Sequence, residues 1–220
     1  MLTTRDLYDL SKSIAGGWLA DFEYPWQALA GIGKWLISTG HVLDETDFRE
    51  VLPTVWVHRN ATIAPTAHLS GPCIVDDGAE IRHGAFIRGN ALIGKGCVVG
   101  NSVEVKNALL FDGAQVPHFN YIGDSIVGYK AHFGAGAITS NLKSDRTEVV
   151  IKTKEKVMPT GLKKVGSFVG DGVEIGCNSV LNPGVVIGKN TTVYPLSFVR
   201  GVLPADGIYK RQGEIVEKRR

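Results

Sequence analysis

Three cysteines in 220 residues, an odd number with no Cys-x-x-Cys spacing, exclude a disulfide framework and a zinc knuckle. No apolar run reaches the roughly 18 residues of a membrane-spanning helix, and Met1 to Ser13 shows no signal-peptide pattern. The expectation is a soluble, cytoplasmic chain. An excess of one charge is also missing: 24 Lys and Arg stand against 22 Asp and Glu, a net charge of +2. That balance predicts no partner among nucleic acids or membrane surfaces.

What the chain does have is a six-residue step. Val57, Ile63, Leu69, Val75, Ile81, Ile87, Ile93, Val99 and Val105 recur at every sixth place, with Phe111 continuing the count. Val169, Ile175, Leu181, Ile187, Val193 and Val199 repeat it, and Val127 and Phe133 keep the step in a shifted phase. Four places after these markers stand small or apolar residues: Ala61, Ala67, Cys73, Ala79, Ala85, Ala91 and Cys97, then Ser125, Ala131 and Ala137. A fixed short period marks a repeat architecture. Three steps make one triangular coil of about 18 residues, stacked on the next at the ~4.8 Å spacing of paired strands. Markers point inward, and the small residue four places on fits a corner. Cys73 and Cys97 fall on that small position and read as buried spacers. Cys177 follows a marker-Gly pair, at a turn.

Residues 1–55 lack the repeat. The spacing predicts a helix beginning at Thr4, a second over Pro25 to Ile37 with its proline at the start, and a short third over Asp44 to Leu52. This helical segment is expected to cap the first coil or cover a neighbour, because an open end exposes unpaired strand edges. Residues 56–203 form the β-helix. The phase slips between Phe111 and Val127, and the repeat is lost over the lysine-rich insertion 142–164, expected as a loop or hairpin projecting from a corner. Residues 204–220 read as a hairpin turning at Gln212-Gly213, then a basic tail.

The repeat resembles the hexapeptide-repeat, left-handed parallel β-helix family, mostly trimeric acyltransferases. Both the left hand and the homotrimer are implied by that resemblance. Three blocks are more specific: Gly100-Asn101-Ser102-Val103-Glu104-Val105-Lys106, His118-Phe119-Asn120-Tyr121-Ile122-Gly123-Asp124 and Gly134-Ala135-Gly136-Ala137-Ile138-Thr139-Ser140-Asn141. They resemble the glucosamine-1-phosphate N-acetyltransferase domain of bifunctional UDP-N-acetylglucosamine pyrophosphorylases. The continuation past Asn141 resembles archaeal-type sugar-1-phosphate nucleotidylyltransferases with an acyltransferase tail. The nucleotidylyltransferase domain of those proteins is not in this sequence. The resemblance therefore implies acetyl transfer alone, from acetyl-CoA to a sugar phosphate, with a separate nucleotidylyltransferase as a possible partner.

The residues fit that chemistry. An ammonium must lose a proton before its nitrogen attacks a thioester, and histidine suits this near neutral pH. The resemblance assigns the base to His118. Arg88 and Lys106 stand 18 residues apart, one coil, so their side chains lie about 5 Å apart on one face. Two cations so placed suit a phosphate between them, and the resemblance gives them the sugar phosphate, with Tyr121. Glu104 is placed either to accept from the sugar amine or to orient His118. The resemblance puts Asn141 near the acetyl group, and the Ala135 N–H on the thioester carbonyl. His132 stands where the bacterial proteins have a sugar-contacting Asn. Lys163, Lys164, Lys189 and Arg200 are candidate contacts for the coenzyme phosphates.

Two other readings compete. A γ-type carbonic anhydrase uses three histidines around zinc, here His83, His118 and His132. The 14-residue gap from His118 to His132 is no multiple of a coil and the His-x-x-x-x-His spacing is missing, so no metal is expected. The other is a non-catalytic scaffold for a separate nucleotidylyltransferase.

Overall fold

The computed structural model describes residues 2–153, 156–211 and 214–217. Its centre is the expected all-β, left-handed parallel β-helix of hexapeptide repeats. On the first face, Val57, Val75, Ile93, Leu110, Val127, Val169, Ile187 and Leu203 succeed one another in parallel register. The second face carries Ile63, Ile81, Val99, Val116, Phe133, Ile175, Val193 and Tyr209. The third carries Leu69, Ile87, Val105, Ile122, Thr139, Leu181 and Val199. Most of these side chains join one buried core.

The phase slips twice, once at Asp124 inside the expected 111–127 stretch and once before it, at Asn107. Ile93 pairs with Leu110, and Leu110 with Val127, so two successive coils are each one residue short. Leu110 is the inward marker, and Phe111 turns outward against Tyr8, ring centroids 5.1 Å apart. Asn107 and Asp124, at φ +48° each, make the tightened corner. Asparagine and aspartate tolerate this left-handed region better than other non-glycine residues.

The N-terminal segment covers a face more than an end. Outward on the first face stand Trp56, Ile74, Leu92, Leu109, Ile126, Phe168 and Val186, one per coil, all buried. Leu7, Leu19, Trp26, Leu29, Ile32 and Leu36 pack on this stripe. They come from Thr4–Leu7, Gly16–Leu19, the 3₁₀ stretch Pro25–Gly31 and the helix Ile32–Gly40. The contact is close: a Cβ on Gly40 would run into the Trp56 ring. The expected third helix is absent. Phe48–Leu52 is a strand, antiparallel to Val55–His58. Its pairing closes the otherwise open edge of the first rung, which local helix spacing could not reveal.

The insertion forms an antiparallel hairpin, Val150–Lys152 with Val157–Pro159. It does not project. Val149, Ile151 and Val165 are buried in the same outer cluster, with Met158 and Leu162 against it. Most of its described polar residues face out, while alternate residues of its first arm, Val149 and Ile151, pack on the prism. At the other end Gly207–Arg211 pairs antiparallel with Glu214–Glu217, the expected terminal hairpin; the Gln212-Gly213 turn and the tail from Lys218 lie outside the described residues.

Candidate active site

Two corners of the prism hold the predicted residues. Along the corner between the second and third faces run His83, Asn101, His118, Ala135 and Cys177. Backbone bonds tie each turn to the next: Phe119 N–H donates to Asn101 O at 2.9 Å, Gly136 to His118 O at 3.0 Å, and Asn178 to Ala135 O at 2.8 Å. His118 ends the strand Gln115–His118 and is exposed. Ala135 thus stands one coil from it, about 5 Å along the stack. The N–H groups of Gly134, Gly136 and Ala137 are bonded within the stack, and among the described residues that of Ala135 is not. An exposed imidazole and an unbonded backbone N–H therefore share one edge.

The second corner lies between the third and first faces. Arg88 and Lys106 do stand on adjacent rungs. Neither is bare. Arg88 Nη1 donates to Glu104 Oε1 at 2.6 Å, and Lys106 Nζ reaches both oxygens of Asp124 at 3.2 Å. Glu104 therefore faces Arg88; among the described residues it makes no hydrogen bond or ion pair with His118. Both side chains of the Arg88–Glu104 pair are partly exposed, where water and salt screen the attraction.

Asp124 was not singled out by the sequence reading, and it organises this corner. Its side chain is only 6% exposed. It accepts from Lys106, from Asn107 Nδ2 at 2.9 Å and from Asn141 Nδ2 at 2.5 Å. Asn141 also donates to the Tyr121 hydroxyl at 3.0 Å. Burial first, and the Asp124 carboxylate next, push the Tyr121 phenol above its usual pKa, so it remains a donor at neutral pH. A readable signal existed: Asn107, Asp124 and Asn141 recur at 17-residue steps, the length of the tightened coils.

The other candidates scatter. His132 Nδ1 lies 3.0 Å from Glu174 Oε2 on the second face. Lys189 pairs with Asp171 at 3.0 Å on the third corner, where Asp171 also accepts the N–H groups of Asp9 and Tyr129. Asp171 ties the N-terminal segment to the prism, and Lys189 beside it stands apart from the other two corners. Lys163 and Lys164 are exposed at the base of the insertion, where Lys164 bridges Leu142. The Arg200 guanidinium lies over the Phe198 ring, 4.7 Å from its centroid. With Lys143, Lys152, Ser140 and Asn182 it lines a cleft of about 420 Å³ beneath the hairpin. Asn101 separates His83 from His118 on their corner, and among the described residues no group of three or more His, Cys, Asp or Glu could hold a metal ion. Cys73 is buried, its thiol pushed up to about 12 by desolvation, and Cys177 is exposed. No helix among the described residues is long and apolar enough to cross a membrane.

Comparison with known proteins follows this geometry. Residues 166–201 match the family model "Bacterial transferase hexapeptide (six repeats)", and residues 69–158 match "GMPPB C-terminal domain". The uncharacterized acetyltransferase YaiX of Escherichia coli K12 is 30% identical over 80% of this chain and 76% of its own. This chain belongs to the hexapeptide-repeat transferase family. Two longer members show the same likeness. The bifunctional sugar-1-phosphate nucleotidylyltransferase/acetyltransferase of Sulfurisphaera tokodaii is 31% identical over 81% of this chain. The bifunctional protein GlmU of Methanococcus maripaludis is 29% identical over 93% of it. The chain spans 45% and 50% of the lengths of these two relatives.

Proposed function

We propose that this hexapeptide-repeat protein transfers an acetyl group from acetyl-CoA to the amine of an amino-sugar 1-phosphate, glucosamine-1-phosphate or a close relative. The observation that carries the reading is the shared edge of His118 and Ala135, with the Arg88–Lys106 corner on the same third face. The names of two relatives, an acetyltransferase and a bifunctional sugar-1-phosphate nucleotidylyltransferase/acetyltransferase, support it.

In this reading Arg88 and Lys106 receive the phosphate, which replaces Glu104 beside Arg88. Tyr121 donates its hydroxyl hydrogen, and His132 contacts the sugar ring. His118 removes a proton from the ammonium. The freed nitrogen attacks the thioester carbonyl carbon while the Ala135 N–H holds the oxygen that gains charge. The C–N bond forms, the C–S bond breaks, and the thiolate leaves and takes up a proton. Asn141, bonded to Asp124 and Tyr121 on the Arg88–Lys106 corner, orients the phosphate side of the site and is not placed at the Ala135 N–H. Lys163, Lys164 and Arg200 are the cations available for the coenzyme phosphates. We read the working form as a homotrimer in the cytoplasm, whose product passes to a sugar-1-phosphate nucleotidylyltransferase. Exposed Phe86, Phe119 and Phe198 flank the site and suit contact with a second copy.

The test is thiol release from acetyl-CoA with glucosamine-1-phosphate, galactosamine-1-phosphate and glucosamine as acceptors, alongside sedimentation of the active species. Turnover with a phosphorylated amino sugar by a trimer is expected. No thiol release with any amino sugar, or full activity in a stable monomer, would contradict the corresponding part of the reading.

A further inference from the structure

The prism interior at the second–third corner is built from small or apolar side chains. Ala85, Val103, Ala137, Ser179 and Ser197 occupy this inward position in successive coils. In the coil that carries His118 the position is Asn120, 3% exposed. A buried amide is costly unless its hydrogen bonds are met. Here they are. Its Oδ1 accepts the His118 N–H at 3.1 Å, and its Nδ2 donates to Gly134 O and to Ala137 O, both at 2.9 Å. The serine two rungs on shows what a small residue achieves there: Ser179 Oγ donates to one carbonyl, Tyr194 O, at 3.1 Å and accepts the Ser197 N–H at 3.3 Å, one bond fewer than Asn120 makes.

The three bonds of Asn120 join two turns. One holds the His118 backbone. The other two hold the carbonyls on either side of Ala135-Gly136. We infer that Asn120 is a positioning residue: it fixes His118 and the Ala135 N–H relative to each other across two coils. Main-chain stacking alone sets their separation along the prism. It does not set the pitch of each turn, and that pitch aims the imidazole and the amide N–H. Asn120 does this from inside the prism and never meets substrate. The inference rests on the reading of His118 and Ala135 as base and oxyanion donor.

The experiment compares Asn120→Ser and Asn120→Ala with the wild type and with His118→Ala. Serine is the safer variant, because Ser179 and Ser197 already stand at equivalent corners. Three readouts are taken: kcat and KM for acetyl transfer, melting temperature, and hydrogen exchange of the peptide spanning residues 116–122. With Asn120→Ser, kcat should fall about tenfold to a hundredfold, the scale of a small misplacement of reacting groups. KM for both substrates should stay within about twofold, and the His118 amide should exchange faster. Wild-type kcat in Asn120→Ser, with His118→Ala inactive, overturns the inference and leaves the functional reading standing. A fall in kcat that only follows a lower melting temperature, with His118 still protected, also overturns it. Full activity in His118→Ala sinks the functional reading itself.

Discussion

The first and third faces of this prism have the same strand geometry and the same inward aliphatics, and they differ in what points outward. On the first face the outward ladder is Trp56, Ile74, Leu92, Leu109, Ile126, Phe168 and Val186, all buried under the N-terminal segment and the hairpin. On the third it is His68, Phe86, Glu104, Tyr121, Ile138, Val180 and Phe198, an open surface with ionisable groups in its middle coils. The backbone sets the spacing, and one outward residue per coil decides whether a face becomes core or site. The corner after each face makes the same division. Beyond the third face Asn107, Asp124 and Asn141 bond up the stack and hold Lys106 and Tyr121.

The contrast can be broken from either side. The largest effect is expected on the covered face. Leu109→Ala empties a fully buried site between Leu92 and Ile126, and truncations of this kind cost about 2–5 kcal/mol. Denaturant unfolding should show that loss, while residual activity per folded molecule stays near the wild type. Equal loss from the exposed third-face change Phe198→Ala would erase the distinction between the faces.

On the open face, Arg88→Ala should leave stability nearly unchanged and raise KM for the phosphorylated sugar about tenfold to a hundredfold, since hydrogen bonds to charged groups are worth roughly 1.5–3 kcal/mol. The change should be much smaller for the unphosphorylated amino sugar. Equal damage with both acceptors would mean that Arg88 supports the fold and does not read phosphate.

The smallest effect sharpens the account of the first face's own corner. Asp76 is 2% exposed, and among the described residues one of its oxygens, Oδ2, has no hydrogen-bond partner. Burial pushes its carboxyl above the usual value of 3.8. The folded state therefore binds this proton more tightly than the unfolded one. Its contribution to stability is fully present below about pH 3.8 and is lost as pH rises through the folded pKa. Asp76→Asn removes the charge, so it should raise the melting temperature slightly at pH 7 and have no such benefit at low pH. A melting temperature lowered at pH 7 would show that the carboxylate is stabilising there.

Much of this was legible in the sequence, for a physical reason. Inward positions obey a strict period, so the coils, the small corner residues Cys73 and Cys97, and the adjacent rungs of Arg88 and Lys106 could be read directly. The outward apolar stripe was present too, as the residue before each first-face marker. It was not read as a docking surface because nothing local says what covers it. The same limit hid the strand Phe48–Leu52, whose conformation is set by the edge it pairs with. Phe111 was miscounted as a marker because the short coils begin four residues earlier, at Asn107, where a left-handed φ replaces a residue. The partners of Glu104 and Lys189 depend on which corner each occupies, and long side chains choose among several. The insertion reads as polar on average, and only its alternate residues Val149 and Ile151 reveal that it packs down.

The most direct measurement is the acetyl-transfer rate of His118→Ala. It is taken beside its melting temperature and its sedimentation, with glucosamine-1-phosphate as acceptor. The account predicts that kcat falls by roughly 10²–10⁴, the range for loss of a general base, with KM, melting temperature and assembly state unchanged. An unchanged kcat, or a loss of activity that only tracks unfolding, would contradict it.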